Sequence, residues 1–168
     1  MRTLHPIAIL LSAFCGAVIG ADTPNPVDTF SKLKRGDTLV VRFHTTGCFH
    51  DETHEFTFRR AAELTVAVVQ LPRDAARAGL GTTQTNRVDV GTLTLSKSDV
   101  AGLDRLMEYY RSKHDGFCTT VDRISFTQQR DGKTIATEEI TDGSCQTFRM
   151  KRLMTFPGLV GRLPSPKR

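Results

Sequence analysis

A chain of 168 residues with a net charge of +5, 39% hydrophobic residues and no tryptophan is long enough to bury one real core without metal or disulfide support. The charge is uneven: residues 149–168 carry six basic side chains and no acid, whereas 22–148 carry 16 basic against 18 acidic. The body is therefore close to neutral, and no aromatic stacking platform accompanies the basic end, so nucleic acid is not an expected partner.

In chain order, residues 1–21 have the layout of an export signal. Arg2 and His5 precede an uncharged apolar run from Ile7 to Ile19, and the small residues Gly20 and Ala21 precede Asp22. The run is shorter than the roughly 20 apolar residues of a spanning helix. No second such run follows, so the mature chain is expected to have no transmembrane segment and to work in a secreted or periplasmic setting. Cleavage removes Cys15 and leaves residues 22–168 with a net charge of +4.

Residues 22–36 read as a proline-containing linker in which Val27 to Lys34 is a candidate helical turn. Leu39, Val41 and Phe43 then alternate with Thr38, Val40 and Arg42, which predicts a strand over 38–45. Further strands are predicted over 53–60, with Phe56 and Phe58 on one face, over the valine-rich 64–71, which Pro72 stops, and over 88–95. Residues 73–86 read as a loop. Ser96 or Ser98 then caps a helix over about 97–114, with Asp99 in its first turn and a buried stripe of Val100, Leu103, Met107 and Tyr110, with Leu106 beside it. Residues 119–129 and 133–140 form a hairpin across Asp131-Gly132. A short final strand is expected over 145–148. A short helix over 153–160 is weighed against Pro157, and 149–168 are expected to be a solvated basic tail.

Strands joined by short turns, around one helix with a single apolar stripe, predict an α+β single domain over 37–148. A curved antiparallel sheet packs against that helix.

Three cysteines remain after export: Cys48, Cys118 and Cys145. An oxidising compartment favours one disulfide, and Cys145 is expected to pair with Cys48 or Cys118. The densest chemistry lies in one turn, where His44, Cys48, His50 and His54 fall within eleven residues. Imidazole and thiolate suit zinc or copper, so His44, His50 and His54 are the candidate metal ligands. His50 and His54 are spaced as in a helical His-x-x-x-His zinc site, but Asp51 replaces the needed Glu and the segment favours a strand.

No catalytic residues stand out. A Cys48 nucleophile with His44 or His50 as base competes with disulfide formation. Glu138 and Glu139 are adjacent in a strand and point to opposite faces. The first expectation is therefore an exported, non-enzymatic domain that binds a protein or a cell-surface partner or plays a structural role. Arg149, Lys151 and Arg152 are the candidate contacts to an anionic surface. The alternatives are a zinc or copper protein using the 44–54 loop, and a small hydrolase using Cys48 or an acidic pair.

Overall fold

The computed structural model describes residues 26–72, 87–112, 116–147 and 154–163. Residues 1–21, with the layout of an export signal, and the basic cluster Arg149, Lys151 and Arg152 lie outside the described residues.

Six strands form one antiparallel sheet: β1 (Thr38–Thr46), β2 (Asp51–Arg60), β3 (Leu64–Leu71), β4 (Val88–Leu95), β5 (Val121–Arg130) and β6 (Lys133–Asp142). Two helices accompany them, α1 (Lys97–Arg111) and α2 (Phe156–Val160). The order across the sheet is β4-β3-β2-β1-β5-β6. The chain steps outward from β1 to the β4 edge, then α1 carries it back so that β5 pairs with β1. The α+β architecture with one long helix is thus the one the periodicities predict.

Alternation explains the buried face. Leu39, Val41 and Phe43 of β1, Phe56 and Phe58 of β2, Leu64, Val66 and Val68 of β3, and Ile124 and Phe126 of β5 are all buried. The stripe Val100, Leu103, Leu106, Met107 and Tyr110 of α1 belongs to the same core. Asp131 and Gly132 have φ of 50° and 74°, the left-handed pair that a two-residue hairpin turn requires.

β4 departs from simple alternation. Its register against β3 shifts between Val68 and Val69, leaving Val90 without a Cα partner, and Gly91 takes a φ of 140°. The extra residue reverses the parity. Val90, Leu93 and Leu95 therefore all pack toward the core, although even spacing sets Val90 against the other two.

α1 begins in a capping box in which the Ser96 side chain accepts from Asp99 N and the Asp99 side chain accepts from Ser96 N. It ends at Arg111 and not at 114. Ser112 turns extended, its N–H is held by the Glu108 and Tyr109 carbonyls, and its hydroxyl donates to Tyr109 O.

The folded unit is longer at both ends than 37–148. Val27, Phe30 and Leu33 are buried, Phe30 meeting Phe58 edge-on at 4.7 Å. The segment is a turn and not a helix. It is tied down by Gln128, whose side chain accepts from Asp28 N and donates to the Asp28 carboxylate. Beyond residue 148, the expectation of a solvated tail does not hold for 154–163. Phe156 and Leu159 are buried, and Arg162 pairs with Asp99 at 2.6 Å. Pro157 is tolerated because it lies in the first helical turn, where its missing N–H has no carbonyl to meet.

No strand forms over Cys145–Thr147. Cys145 is left-handed at φ 57° and is disulfide-bonded to Cys118, so the chain turns away from the sheet there. Of the two pairings open to Cys145, the structure has the shorter loop, and Cys48 is a free, exposed thiol. A disulfide suits an oxidising location, and no described helix is long and apolar enough to cross a membrane.

Candidate functional site

Register converts the strand pattern into rows of side chains across the helix-covered face. Phe58, Leu39 and Gln128 form one row, Phe56, Val41 and Phe126 the next, and His54, Phe43, Ile124 and Ile140 a third. The fourth row is Glu52, Thr45, Asp122 and Asp142. This fourth row carries three carboxylates, at the end where the loops 47–50 and 116–120 meet; the second row also ends in a carboxylate, Glu138, opposite Phe126 on the edge strand.

Asp122 and Asp142 are direct cross-strand partners, both buried. Like charges opposite one another in a sheet destabilise it, so the surroundings of the two carboxyls matter. Asp142 is satisfied: Oδ1 accepts from Ser144 N at 2.8 Å and Oδ2 from the Tyr109 hydroxyl at 3.3 Å. Asp122 is satisfied on one side only. Oδ2 accepts from the Tyr110 hydroxyl at 3.3 Å, whereas Oδ1 is buried with no hydrogen-bond partner among the described residues.

Burial pushes the Asp122 carboxyl up, and Asp142 adds to the rise. The nearby Thr45 and Tyr110 hydroxyls and the His50 ring pull it down. Burial likewise raises the Tyr109 and Tyr110 phenols, so both remain protonated donors near neutral pH.

A cavity of about 290 Å³ opens onto this row. Thr45, His50, Glu52, Asp122, Thr147 and Thr155 supply its polar lining, and Phe43, Tyr110 and Pro157 supply its apolar wall. His50 is held in place from two sides. Its Nε2 meets Thr45 Oγ1 at 3.2 Å, and its ring lies over Gly47, where an added Cβ would come within 2.5 Å of Cε1. The loops at this end of the sheet carry two exposed aromatics: Phe49 precedes His50, and Phe117 precedes the Cys118–Cys145 bridge. Their relative exposures are 101% and 103%. Gly47 and Thr120, which the ladder brings together, join the two loops at this end.

A second cavity of about 420 Å³ lies at the start of α1, lined by Ser31, Arg60, Glu63, Ser96 and Asp104 among others. Its polar groups hold the N-terminal segment to the fold: Asp104 Oδ1 accepts from Ser31 N and Arg60 Nη2 donates to Phe30 O. It is a packing seam.

The three candidate histidine ligands do not converge. His44 lies on the outer face, half-buried, with Nε2 2.9 Å from Asp51 Oδ1. His54 pairs with Phe43 on the opposite, buried face, beside Phe56, and desolvation lowers its pKa against a small opposing effect of Glu52. Even strand spacing forces that separation: His44 and Thr53 face each other, which turns His54 to the other side. Among the described residues, no three His, Cys, Asp or Glu side chains form a metal-binding group.

Of the loop histidines and cysteine singled out in the sequence, only His50 lines the cavity. Glu52 belongs to the same loop cluster and Tyr110 to the helix stripe, whereas Asp122, Asp142, Tyr109 and Thr45 carry no motif of their own. Their signal is parity: Asp122 sits two residues before inward Ile124, Asp142 two after inward Ile140, and Thr45 two after inward Phe43. Compared with protein-family models, curated proteins and solved structures, the chain matches none, so the site is read from its own chemistry.

Proposed function

We propose that the chain is an exported, non-enzymatic binding domain that engages a protein partner through the acidic end of its sheet. The observation that carries this reading is the pairing of two fully exposed phenylalanines with a cavity at the same end. Exposed aromatics around a concave pocket are the usual anchors of a protein interface. The Cys118–Cys145 bond and the N-terminal layout of residues 1–21 support a secreted or periplasmic setting.

Binding is favoured over hydrolysis by the state of the carboxyls. Both Asp142 oxygens accept hydrogen bonds, so the buried Asp122–Asp142 neighbours are not a free acidic pair. The test is retention of the labelled protein on envelope preparations of the producing cells, compared with a Phe49→Ser/Phe117→Ser double variant. At least a tenfold loss of retention at unchanged thermal stability is expected. Equal retention of the two proteins overturns the assignment of this face.

A further inference from the structure

We infer that the cavity lined by Asp122 and His50 receives a primary ammonium on an alkyl stem, as carried by a lysine side chain of the partner. The inference rests on the reading of this end as the binding face and names the chemistry it selects.

The argument starts from Asp122 Oδ1. The residue is only 6% exposed, lines the cavity and leaves this oxygen without a partner among the described residues. An unpaired carboxylate oxygen in a desolvated site is costly, and a cationic donor is its strongest complement. Glu52 adds a second carboxylate, and the Thr45, Thr147 and Thr155 hydroxyls supply neutral acceptors around the same space. An ammonium has three N–H donors and no acceptor, which fits this acceptor-rich lining.

Ammonium is preferred to guanidinium by geometry. A guanidinium binds a carboxylate best through both oxygens at once. Oδ2 of Asp122 already accepts from Tyr110 and only the buried Oδ1 is unpaired, so a compact point charge suits it better. The wall of Phe43, Tyr110 and Pro157 is apolar and suits the packing of a four-carbon stem.

The test is chemical-shift mapping on the full secreted protein with four probes: n-butylammonium, n-butylguanidinium, n-butanol and Nα-acetyl-lysine N-methylamide. The expected result is saturable shifts at Thr45, His50, Glu52, Asp122 and Thr147 with butylammonium. Butylguanidinium should bind at least threefold more weakly and butanol not measurably. The lysine amide should bind at least as well as butylammonium, which separates a peptide side chain from a free amine. Asp122→Asn should weaken butylammonium at least tenfold. Glu52→Gln provides a second reading at a more exposed residue and should weaken it at least threefold.

Equal shifts from butanol, or an Asp122→Asn variant that binds butylammonium unchanged, overturn the inference. In that case the phenylalanine variants still decide the binding face independently. Absence of shifts from every probe overturns the inference as well. Butylammonium that binds well while the lysine amide does not overturns the lysine assignment.

Discussion

The Asp99–Arg162 pair couples the start of α1 to the C-terminal segment, and its contribution can be worked out. Arg162 Nη1 and Nη2 donate to the two Asp99 oxygens at 2.6 and 3.2 Å, while Ser96 N donates to Oδ2 at 2.9 Å. The Arg162 hydrogen bonds, ahead of those from Ser96, hold the Asp99 carboxyl at about 2, below its ordinary 3.8. At about 1.36 kcal/mol per pH unit this drop corresponds to at most about 2.5 kcal/mol. Arg162 is 43% exposed, so solvent screening reduces the pair to about 1–2 kcal/mol. Asp99→Asn keeps one oxygen to accept in the capping box, removes the charge, and turns the other oxygen into an amide donor facing the Arg162 guanidinium. It should lower the melting temperature at pH 7 by about 3–6 °C for a chain of this size.

The sign follows from the depressed carboxyl. Its stabilisation is full above the unfolded value of 3.8 and is lost as pH falls through about 2. The deficit of Asp99→Asn, measured by urea midpoints from pH 7 downward, should shrink to less than about half by pH 2.5. A deficit that stays constant over that range, or none at pH 7, refutes the electrostatic origin of this tie.

Other outcomes follow from single contacts. Phe30→Ala removes a fully buried ring packed on Phe58 and should cost about 3–5 kcal/mol in urea unfolding. A loss below 1 kcal/mol, that of a mere linker residue, counts against the N-terminal extension of the core. Gly47→Ala drives a methyl into the His50 ring and should shift the His50 imidazole resonances while changing stability by less than about 1 kcal/mol. Unaltered His50 resonances refute the stacking of this ring on Gly47. His54 is held neutral by desolvation, with its pKa lowered from 6.5. Its stabilising effect is present above 6.5 and lost as pH falls below it, so His54→Gln should flatten the wild-type stability profile between about pH 6.5 and 5. A profile with the same slope in both proteins removes His54 from the explanation.

Much of the fold was legible because strands and helix announce themselves by period. The inward residues Leu39, Val41, Phe43, Phe56 and Phe58 and the stripe on α1 all appear where spacing puts them. The ends were not. Val27, Phe30 and Leu33 show no periodicity to reveal that they pack, and the ring that Phe30 meets, Phe58, lies on another strand far along the chain. Phe156 and Leu159 were obscured by six basic charges and by a proline that suits a helix start. The β4 parity switch depends on a bulge at Gly91 that alternation alone does not show.

The site was harder still. His44, His50 and His54 cluster along the chain, but sheet register turns His44 and His54 to opposite faces and His50 lies in the loop between β1 and β2. Asp122 and Asp142 are twenty residues apart in sequence and become neighbours only through the β5–β6 hairpin. Their inward parity was available, but charged residues near strand ends usually read as solvated.

Asp122 is the residue on which the proposed binding site turns, and its protonation tests that role. Burial raises its pKa above the ordinary 3.8, so the fold favours the protonated form and the charged form at neutral pH opposes folding. Stability should therefore gain from replacing it with a neutral isostere at pH 7, and that gain should vanish once both states are protonated. Urea unfolding of Asp122→Asn against wild type should show the variant more stable at pH 7, with the midpoints converging below pH 3.8. A variant less stable than wild type at pH 7 would mean that the charged carboxyl is an ordinary structural partner, and the open oxygen would no longer mark a binding site.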